Sequence, residues 1–316
     1  MELRALGNSG LKVSKLAFGG NVFGWTADEA TSFKLLDAFV AAGGNLIDTA
    51  DVYSRWAPGH KGGESEAIIG KWLEKSGKRK QVVIATKVGF DMGEGRKGLS
   101  KSYILSEVEE SLKRLRTDYI DLYQSHGDDA FTPIEETLQA YDRLIEQGKV
   151  RAIGASNYTG ERLSMALEAS RKYKFPSYQC LQPLYNLYDR SEYETTLEPV
   201  CKQHGLGVIT YYSLASGFLT GKYRSEKDFS KSPRGVKASG YMNQRGFRIL
   251  KALDDVAAKM NSTPASIAIA WIMARPSVTA PIASATSLGQ LNSLIEAARL
   301  KLDTAEMETL NQASAY

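Results

Sequence analysis

Short apolar runs alternate with longer helical patterns along this chain, and this alternation limits the possible folds more than any other feature. Such alternation is typical of βαβ units, in which successive strands run parallel. Most of the runs are continuously apolar, as expected for strands that are covered on both faces. The eight predicted strands are residues 15–19, 45–49, 82–87, 119–125, 150–154, 178–182, 207–211 and 278–282.

Helical patterns fill the intervals between the predicted strands. Residues 26–29 (TADE) and 132–135 (TPIE) predict capping boxes that begin two helices, the second with proline at its first helical position. A hairpin is predicted over residues 2–13, with residues 7–10 (GNSG) as its turn. The other predicted helices are residues 64–75, 101–115, 160–173, 194–204, 245–260, 264–274, 287–297 and 304–313.

Eight βα units suggest that the sheet closes into a barrel. The competing fold is an open, doubly wound sheet. That fold needs a Gly-x-Gly-x-x-Gly turn after its first strand, and residues 19–24 (GGNVFG) lack this spacing. We therefore predict the α/β fold class: a single-domain (β/α)8 TIM barrel over residues 1–316, with an N-terminal β-hairpin. Residues 213–244 form a long polar loop after the seventh strand, and loops of this length are usually functional or disordered.

The composition argues against several classes of protein. The net charge of +4 is too small and too dispersed to indicate nucleic-acid binding. No run of about 18 apolar residues predicts a membrane span, and the first residues lack the apolar core of a secretory signal, so we expect a cytoplasmic protein. Cys180 and Cys201 have no metal-ligand spacing, and we interpret them as buried, reduced thiols with no metal site.

Four polar residues lie at, or just after, the ends of predicted strands. Asp48, Lys87 and His126 stand at strand ends, and Tyr53 lies in the loop after the second strand. In a parallel barrel the active site lies at the C-terminal ends of the strands, so we expect the four side chains to converge. Taken singly, the aspartate, tyrosine and histidine have ordinary structural explanations, whereas a lysine that ends an apolar strand is unusual. Their occurrence at successive strand ends favours a shared site.

A tyrosine, a lysine, a carboxylate and an imidazole at one point can protonate a carbonyl oxygen. A free phenol has a pKa of about 10, and a cation within ~4–6 Å favours the phenolate and lowers that pKa by roughly 1–3 units. Lys87 can be that cation, with Asp48 as its counter-charge. Protein side chains cannot donate hydride, so the set implies a nicotinamide cofactor.

Further motifs connect these residues to a known family. They are residues 48–53 (DTADVY), 63–66 (GESE), 85–87 (ATK), 154–157 (GASN), 182–186 (QPLYN) and 217–223 (GFLTGKY). On these motifs the chain resembles the aldo-keto reductases over residues 6–294. The resemblance implies that Tyr53 donates the proton, that Lys87 and Asp48 tune it, and that His126 orients the substrate carbonyl.

The resemblance also implies a cofactor that lies extended across the barrel mouth. Ser156, Asn157 and Gln182 would hold the carboxamide edge of the nicotinamide, and Tyr212 would stack on its face. The cofactor residues predicted in this way are Gly20, Asn21, Asp48, Ser156, Asn157, Gln182, Tyr212, Ser213, Leu214, Ala215, Gly217, Lys222, Arg234, Ser284, Thr286 and Gln290.

The phosphate groups of the cofactor are assigned to the region after the seventh strand. By resemblance, residues 213–215 line the pyrophosphate, and Lys222 and Arg234 contact phosphates from the long loop. Family members often place a lysine or arginine after the eighth strand, against the 2′-phosphate of NADP, whereas residues 284–287 here read SATS, with Gln290 following. We expect NADP(H) to be preferred and NAD(H) to remain possible.

The expected reaction is the NADPH-dependent reduction of aldehydes or ketones to alcohols. The substrate would be a small carbonyl compound or alcohol, and the protein a monomer that binds neither nucleic acid nor membranes. Trp25, Trp56 and Phe90 lie in loops after strand ends. They could form an apolar substrate pocket, as the resemblance suggests, or simply pack those loops.

A different class of function is also open. The chain resembles the β-subunits of voltage-gated potassium channels, which share this fold and serve as redox-responsive binding partners. Residues 98–101 (GLSK) and 221–223 (GKY) support that branch. His126 is retained where those subunits tend to carry another residue, and their N-terminal extension is absent. The alternative is therefore an NADP(H)-binding regulatory subunit with little turnover.

Overall fold

The computed structural model describes residues 1–232 and 235–316. In this part of the chain eight parallel strands close into a barrel, and two further strands form an antiparallel hairpin. The strands are β1 (Leu3–Ala5), β2 (Lys12–Ser14), β3 (Ala17–Gly19), β4 (Leu46–Asp48), β5 (Val83–Val88), β6 (Ile120–Ser125), β7 (Val150–Ser156), β8 (Cys180–Gln182), β9 (Gly207–Thr210) and β10 (Ala280–Ala283). The α-helices are α1 (Glu29–Ala41), α2 (Glu64–Ser76), α3 (Lys101–Leu115), α4 (Ile134–Glu146), α5 (Gly160–Tyr173), α6 (Glu198–His204), α7 (Gly235–Ala238), α8 (Gln244–Lys259), α9 (Pro264–Met273), α10 (Leu288–Ala297) and α11 (Thr304–Ala313).

Pairing between the first and last strands of the sheet closes the barrel. β3 pairs with β4 on one side and with β10 on the other, and β10 pairs in turn with β9. The order around the barrel is β10-β3-β4-β5-β6-β7-β8-β9, so strands that follow one another along the chain are also neighbours in space. The predicted (β/α)8 fold class is confirmed, and each predicted strand overlaps an observed one.

The hairpin β1–β2 closes the end of the barrel at which the strands begin. Leu6 and Val13 are fully buried and join the apolar cluster inside the barrel, which includes Leu46 and Leu122. Gly7 has a φ of +54°, and a side chain on it would place Cβ 2.3 Å from the carbonyl oxygen of the residue before β8. A residue without a side chain is needed for the hairpin to lie this close to the barrel.

Both predicted capping boxes are wrong in detail. Asp28 caps α1, because its carboxylate accepts the amide of Thr31, while residue 26 lies outside the helix. Pro133 precedes α4 and makes no side-chain cap. The hydroxyl of Thr132 instead donates to Asp129, whose carboxylate organises the loop before the helix. At α1 the carboxylate of Asp28 makes the cap bond itself, and at α4 the carboxylate of Asp129 engages the threonine hydroxyl, which is then not used as a cap.

The helix predicted over residues 194–204 is present, and helical structure begins slightly earlier, at Ser191. It contains a single π-helical turn at Tyr193–Leu197, after which α6 continues from Glu198. Proline occupies position 199, in the first turn of α6, and it has no N–H to donate back to a carbonyl in the preceding turn. A single turn inserted within an α-helix is the form in which π geometry mostly occurs.

The predictions about membranes and cysteines can also be compared with the structure. Among the described residues, no helix combines the length and the apolar character that crossing a membrane requires. Cys180 and Cys201 are both buried and unbridged, as the sequence predicts.

The region after β9 contains more secondary structure than a long polar loop would. Its described residues include 3-10 turns at Ala215–Thr220, Glu226–Lys231 and Ser239–Tyr241, together with the short helix α7. The side chains of Phe218 and Tyr223 are fully buried and join the main core. Apolar residues spaced along a polar segment therefore hold it against the barrel. We refer to residues 213–243 as the 213–243 segment.

The buried contact of the hairpin with the barrel generates a stability prediction. Replacement of Leu6 by alanine should lower the free energy of unfolding by about 2–5 kcal/mol, because it leaves a cavity between the hairpin and the barrel interior. Leu3 on the same hairpin is 51% exposed, so the matched Leu3→Ala variant should lose no more than about 0.5 kcal/mol. Urea unfolding followed by tryptophan fluorescence measures both. Equal losses in the two variants would contradict the role given to the hairpin.

Candidate active site

The ammonium of Lys87 is the centre of the site. Lys87 lies on β5, its side chain is completely buried, and it donates to three acceptors: Asp48 Oδ2 at 2.8 Å, the carbonyl oxygen of Thr49 at 2.7 Å and Tyr53 Oη at 3.0 Å. An ammonium has three N–H donors, so each of them is used. The convergence follows from the parallel register, in which Asp48 at the end of β4 pairs with Ala85, two residues before the lysine.

The charge of this lysine is balanced inside the barrel. Burial lowers the pKa of Lys87, and the neighbouring carboxylate of Asp48 opposes that effect. Asp48 is 1% exposed and has both oxygens occupied, because its Oδ1 accepts from Gln182 Nε2 at 2.9 Å. A buried ion pair is tolerated when its remaining polar atoms are also hydrogen-bonded, and that condition is met here.

The phenol of Tyr53 is oriented by this lysine. Because the phenol oxygen accepts a hydrogen bond from Lys87, its own O–H hydrogen must point in another direction. Lys87 Nζ also lies 4.6 Å from the centroid of the tyrosine ring. The ring of Tyr53 is flanked edge-on by His126 and Trp56, with centroid distances of 5.8 Å in both cases.

The loop that carries Tyr53 is held by a residue that the sequence analysis did not single out. The amide of Asp51 donates to the carbonyl of Lys87 at 3.2 Å, and its carboxylate accepts the amide of Val52 at 2.6 Å. Burial, followed by the charge of Glu66, raises the pKa of Asp51 well above its usual value. Asp51 therefore fixes the backbone next to the tyrosine from a buried position in which its charged form is disfavoured.

His126 directly follows β6 and presents a neutral ring. Its amide donates to the carbonyl of Val88, and its imidazole stacks on Phe90 with a centroid distance of 3.9 Å and an interplanar angle of 13°. Burial, with a further contribution from the charge of Lys87, lowers the pKa of His126 well below its usual value. A neutral imidazole has one N–H donor. Its Nδ1 is buried and makes no hydrogen bond within the described residues.

Three of the predicted cofactor residues adjoin these side chains. Gln182 Nε2 contacts Asp48, Ser156 Oγ donates to the carbonyl of Gln182 at 2.9 Å, and Asn157 Nδ2 donates to the carbonyl of His126 at 2.7 Å. These three residues come from the ends of β7 and β8. Gln182 links them to the side of the mouth that holds Asp48, Tyr53 and Lys87.

Two residues of this region were missed in the sequence. Gln124 on β6 accepts from Gln182 Nε2 at 3.3 Å, and Tyr211 donates its hydroxyl to Asn157 Oδ1 at 2.7 Å. Burial raises the pKa of Tyr211 to about 12, so this hydroxyl stays protonated as a donor. Gln124 could have been found in the sequence, because it is a polar side chain within an otherwise apolar strand. No local sequence feature indicated a role for Tyr211.

The backbone after β9 takes an unusual course. Tyr212, Ala215 and Ser216 have φ values of 54°, 47° and 56°, and Gly217 follows with 90°. Left-handed conformations are uncommon for residues other than glycine and concentrate at functional turns. Ser213 ties the start of this turn to the barrel, because its hydroxyl donates to the carbonyl of residue 282 at 2.8 Å.

The predicted phosphate residues of this turn lie near one another. The ring of Tyr212 is 41% exposed. Leu214 is half-buried between the turn and the core. The side chain of Lys222 extends over Gly217, where a Cβ added to the glycine would lie 3.2 Å from the lysine Nζ. Arg234, the other predicted phosphate contact, lies outside the described residues.

The remaining predicted cofactor residues lie around the β3–β10 seam of the barrel. Ser284 Oγ donates to Asn21 Oδ1 at 2.5 Å across this seam. Gly20, which precedes Asn21, accepts the hydroxyl of the serine at position 65 through its carbonyl at 2.8 Å. Thr286 donates to Gln290 Oε1 through its amide at 2.8 Å and its hydroxyl at 3.1 Å. These side chains flank the beginning of α10.

The three predicted pocket aromatics form a row at the mouth. The rings of Trp25 and Trp56 meet edge-on at 5.7 Å, Trp56 contacts Tyr53, and Phe90 stacks on His126. Trp56 is 48% exposed and Phe90 is 41% exposed. The row thus runs past both the phenol and the imidazole, and much of its surface faces the open end of the barrel.

A parallel barrel with a buried lysine hydrogen-bonded to a tyrosine at its C-terminal mouth defines a class of oxidoreductase. The chain belongs to the aldo/keto reductase family, whose family model matches residues 15–315. This family normally binds nicotinamide cofactors.

Curated relatives agree with this assignment over nearly the whole chain. The "Uncharacterized oxidoreductase YrpG" of Bacillus subtilis (strain 168) is 36% identical over 98% of this chain and 95% of its own length. The "Aldo-keto reductase YhdN" of the same organism is 34% identical over 98% of this chain and 93% of its own. A "Probable voltage-gated potassium channel subunit beta" of Arabidopsis thaliana is 34% identical over 94% of this chain and 91% of its own length.

The buried ion pair generates a prediction about stability and pH. Asp48→Ala leaves the Lys87 ammonium buried without its carboxylate and should cost about 3–5 kcal/mol at pH 7. The pKa of Lys87 is lowered by folding, so as the pH rises the folded variant releases this proton before the unfolded chain does. Stability must therefore increase with pH in that range. The urea midpoint of the variant should be higher at pH 9 than at pH 7.

The control for this experiment is an exposed ion pair. Asp255 pairs with Lys251 on the surface of α8, where the two side chains are 60% and 77% exposed. Asp255→Ala should leave the urea midpoint close to that of the unchanged protein, because exposed pairs contribute little. A midpoint for Asp48→Ala as high as that of this control would contradict the importance of the buried pair.

Proposed function

We propose that this protein is an NADP(H)-dependent reductase of aldehydes and ketones in which Tyr53 is the proton donor. The observation that carries the proposal is the hydrogen bond from Lys87 to the phenol oxygen, made by an ammonium whose other two donors are held by Asp48 and the carbonyl of Thr49. The phenol oxygen accepts a hydrogen bond from this ammonium, and the phenol O–H is the group proposed to donate a proton to a substrate at the mouth.

The role of Lys87 is to stabilise the phenolate that remains after proton transfer. As negative charge develops on a carbonyl oxygen, Tyr53 gives up its proton, and the adjacent ammonium at 3.0 Å compensates the charge left behind. In the opposite direction the phenolate accepts a proton from an alcohol. The nicotinamide cofactor, when bound, supplies or accepts the hydride.

His126 is suited to orienting the carbonyl oxygen. A hydrogen on Nδ1 would be buried with no acceptor among the described residues, so the neutral ring is better satisfied with its hydrogen on Nε2. From that position it can donate to the substrate oxygen beside Tyr53. The lowered pKa of His126 keeps the ring uncharged through neutral pH, so it acts as a hydrogen-bond donor and not as a cation.

The donor set of the mouth fits a nicotinamide. Ser156, Asn157 and Gln182 supply hydroxyl and amide groups suited to a carboxamide, and the exposed ring of Tyr212 supplies a flat apolar face. Gln182 uses its Nε2 on Asp48, and its Oε1 remains an acceptor for a ligand amide. These contacts support binding of the reactive ring next to Tyr53.

The turn after β9 is suited to a pyrophosphate. Residues 215–217 adopt successive left-handed conformations, a turn geometry typical of anion-binding backbone, and the ammonium of Lys222 lies nearby. At the far side of the mouth, Asn21, Ser284 and Thr286 offer polar groups beside the start of α10. A helix N-terminus favours phosphate, so we propose the adenosine end of the cofactor here.

The residues beside the start of α10 bear on the choice between NADP and NAD. Residues 280–298 contain no lysine or arginine, and Gln290 turns back onto Thr286. We propose that NADPH is preferred and that NADH is also used. The row formed by Trp25, Trp56 and Phe90 supports substrates with an apolar or aromatic group next to the carbonyl.

The site draws its residues from strands around the whole barrel of one chain. Asp48, Lys87, Gln182 and Ser284 follow or end four different strands. We propose that residues 1–316 act as one domain and that a monomer in the cytoplasm is sufficient for activity. The Arabidopsis thaliana relative named as a probable potassium channel β-subunit keeps a regulatory role open as an alternative. The complete set of Tyr53, Lys87 and His126 favours turnover.

Removal of the phenol hydroxyl is the direct test. Tyr53→Phe should lower kcat with NADPH and a panel of reactive aldehydes by about 10²–10⁴-fold, because the proton donor is lost. NADPH binding, measured by fluorescence titration, should persist. Tyr173→Phe, at a position that is 44% exposed and distant from the mouth, is the matched control and should leave both quantities unchanged.

Two outcomes would argue against the proposal in different ways. Undiminished turnover in Tyr53→Phe would remove this residue from the mechanism. Binding of NADPH by the unchanged protein, without multiple turnovers on any of the aldehydes, would favour the regulatory alternative.

A second test concerns the preference for NADPH. Gln290→Arg would place a guanidinium beside the start of α10 and should increase the ratio of the NADH to the NADPH dissociation constant by about tenfold, because only NADPH carries the 2′-phosphate. Gln312→Arg, on the exposed face of α11, controls for the added charge. Fluorescence titration measures the six dissociation constants, one for each cofactor with the unchanged protein and the two variants. An equal change for both cofactors would show that the 2′-phosphate is bound elsewhere.

A further inference from the structure

Both ends of the 213–243 segment are attached to one short turn. This turn follows β8 and consists of residues 186–189, and we refer to it as the 186–189 turn. It lies outside the set of side chains that would touch a cofactor or substrate. Its hydrogen bonds nevertheless reach Tyr212, the residue immediately before the segment, and Tyr241, near the end of the segment.

Asn186 builds the turn from within. Its side chain is completely buried, and its Oδ1 accepts the amides of Tyr188 at 2.7 Å and Asp189 at 2.9 Å. The backbone N–H of Asn186 donates to the carbonyl of Asp189 at 3.2 Å. An asparagine that bonds to the backbone two and three residues further on is a common way to close such a turn.

The side-chain Nδ2 group of Asn186 reaches the backbone of Tyr212, at the candidate cofactor site. Its Nδ2 donates to Asp189 Oδ2 at 2.8 Å and to the carbonyl oxygen of Tyr212 at 3.1 Å. That carbonyl also accepts the amide of Ala215 at 2.7 Å. The residue held in this way is the tyrosine with a left-handed φ of 54°, a conformation that persists only when surrounding contacts impose it.

The far end of the segment is attached to the same carboxylate. The hydroxyl of Tyr241 donates to Asp189 Oδ2 at 2.9 Å, which is the oxygen that also accepts from Asn186. Asn243 Nδ2 donates to the hydroxyl of Tyr188 at 2.7 Å. The rings of Tyr188 and Tyr241 meet edge-on at 4.9 Å. One carboxylate oxygen thus connects the start of the segment with its end.

We propose that Asn186 and Asp189 are positioning residues for the nicotinamide cofactor, which hold Tyr212 in its left-handed conformation and anchor the 213–243 segment at both ends. The identity of the ligand rests on the proposed function. Neither residue contacts the ligand; both act through Tyr212 and Tyr241.

The chemistry of the turn requires an amide at position 186. Aspartate has nearly the same shape but no N–H donors, so Asn186→Asp would remove both bonds from Nδ2. It would also set a second carboxylate against Asp189 and against the carbonyl of Tyr212. The Oδ1 acceptor for the turn amides would be kept, so the turn itself can form.

The experiment compares three variants in the full-length protein. Asn186→Asp breaks the anchor at Tyr212, and Tyr241→Phe removes only the hydroxyl that reaches Asp189. The control is Tyr316→Phe, which removes a tyrosine hydroxyl that donates to the glutamate at position 194 at 3.3 Å, outside the turn. The dissociation constant of NADPH is measured by fluorescence titration, together with the urea midpoint of each variant.

The expected result separates positioning from overall stability. Asn186→Asp should raise the NADPH dissociation constant by about tenfold or more, since it replaces hydrogen bonds with a repulsion between charged groups. Tyr241→Phe should raise it by a smaller factor while its urea midpoint stays close to that of the control. Tyr316→Phe should bind NADPH as the unchanged protein does.

A second measurement does not require any cofactor. Lys222, Arg224, Lys227 and Lys231 are exposed trypsin sites within the segment. Limited proteolysis of the cofactor-free protein should cut the segment faster in Asn186→Asp and in Tyr241→Phe than in Tyr316→Phe, because one of its ends is released. This arm uses the protein alone, so it tests the anchor separately from the ligand.

The outcomes distinguish this inference from the proposed function. If the unchanged protein binds NADPH and both turn variants bind it equally well, the positioning role is wrong while the proposed function stands. If the unchanged protein binds neither NADPH nor NADH, the proposed function and the cofactor role both fail, and the trypsin arm still decides whether the turn anchors the segment. If Asn186→Asp does not fold, Tyr241→Phe decides both measurements.

Discussion

The burial of the Lys87 ammonium is the constraint on which the rest of the site depends. A charge without contact to water is stable only when it is paired and fully hydrogen-bonded. The acceptors come from the end of β4 and the loop after it, so that loop must remain against β5. One of the acceptors is the oxygen of Tyr53. The interaction that makes a buried lysine possible therefore also orients the phenol, and the stability of the barrel and the geometry of its mouth cannot be separated.

Closure of the barrel extends this arrangement to the whole mouth. The lysine side of the mouth is joined to the β7 and β8 side through Gln182, which donates to both Asp48 and Gln124. The pairing of β10 with β3 brings Ser284 to Asn21 across the seam. An open sheet would leave these groups at opposite edges. The 186–189 turn adds the last constraint, because it connects the backbone of the exposed Tyr212 with the far end of the segment that follows.

Local pattern predicted most of the architecture, and its failures have identifiable causes. The barrel strands were visible because strands covered on both faces are continuously apolar. The capping boxes at residues 26–29 and 132–135 failed because neighbouring carboxylates at positions 28 and 129 make the competing hydrogen bonds. The helix predicted over residues 194–204 is present, but the π turn within it was not predicted, although a proline at position 199 removes an N–H next to that turn. Asn186 belongs to the motif at residues 182–186, but its role was not predicted because its partner Tyr212 is 26 residues away, beyond the reach of any local pattern.

The sequence by itself determined the order of strands and helices, the closed parallel fold, and the four polar residues at the strand ends, because each follows from short-range periodicity and from where parallel strands end. The tertiary structure alone decided which donor meets which acceptor. The full occupation of the lysine's three N–H groups, the neutral state of His126 and the shared oxygen of Asp189 depend on distances and burial. Those quantities arise only when segments far apart in the chain are packed together, and no property of a single segment encodes them.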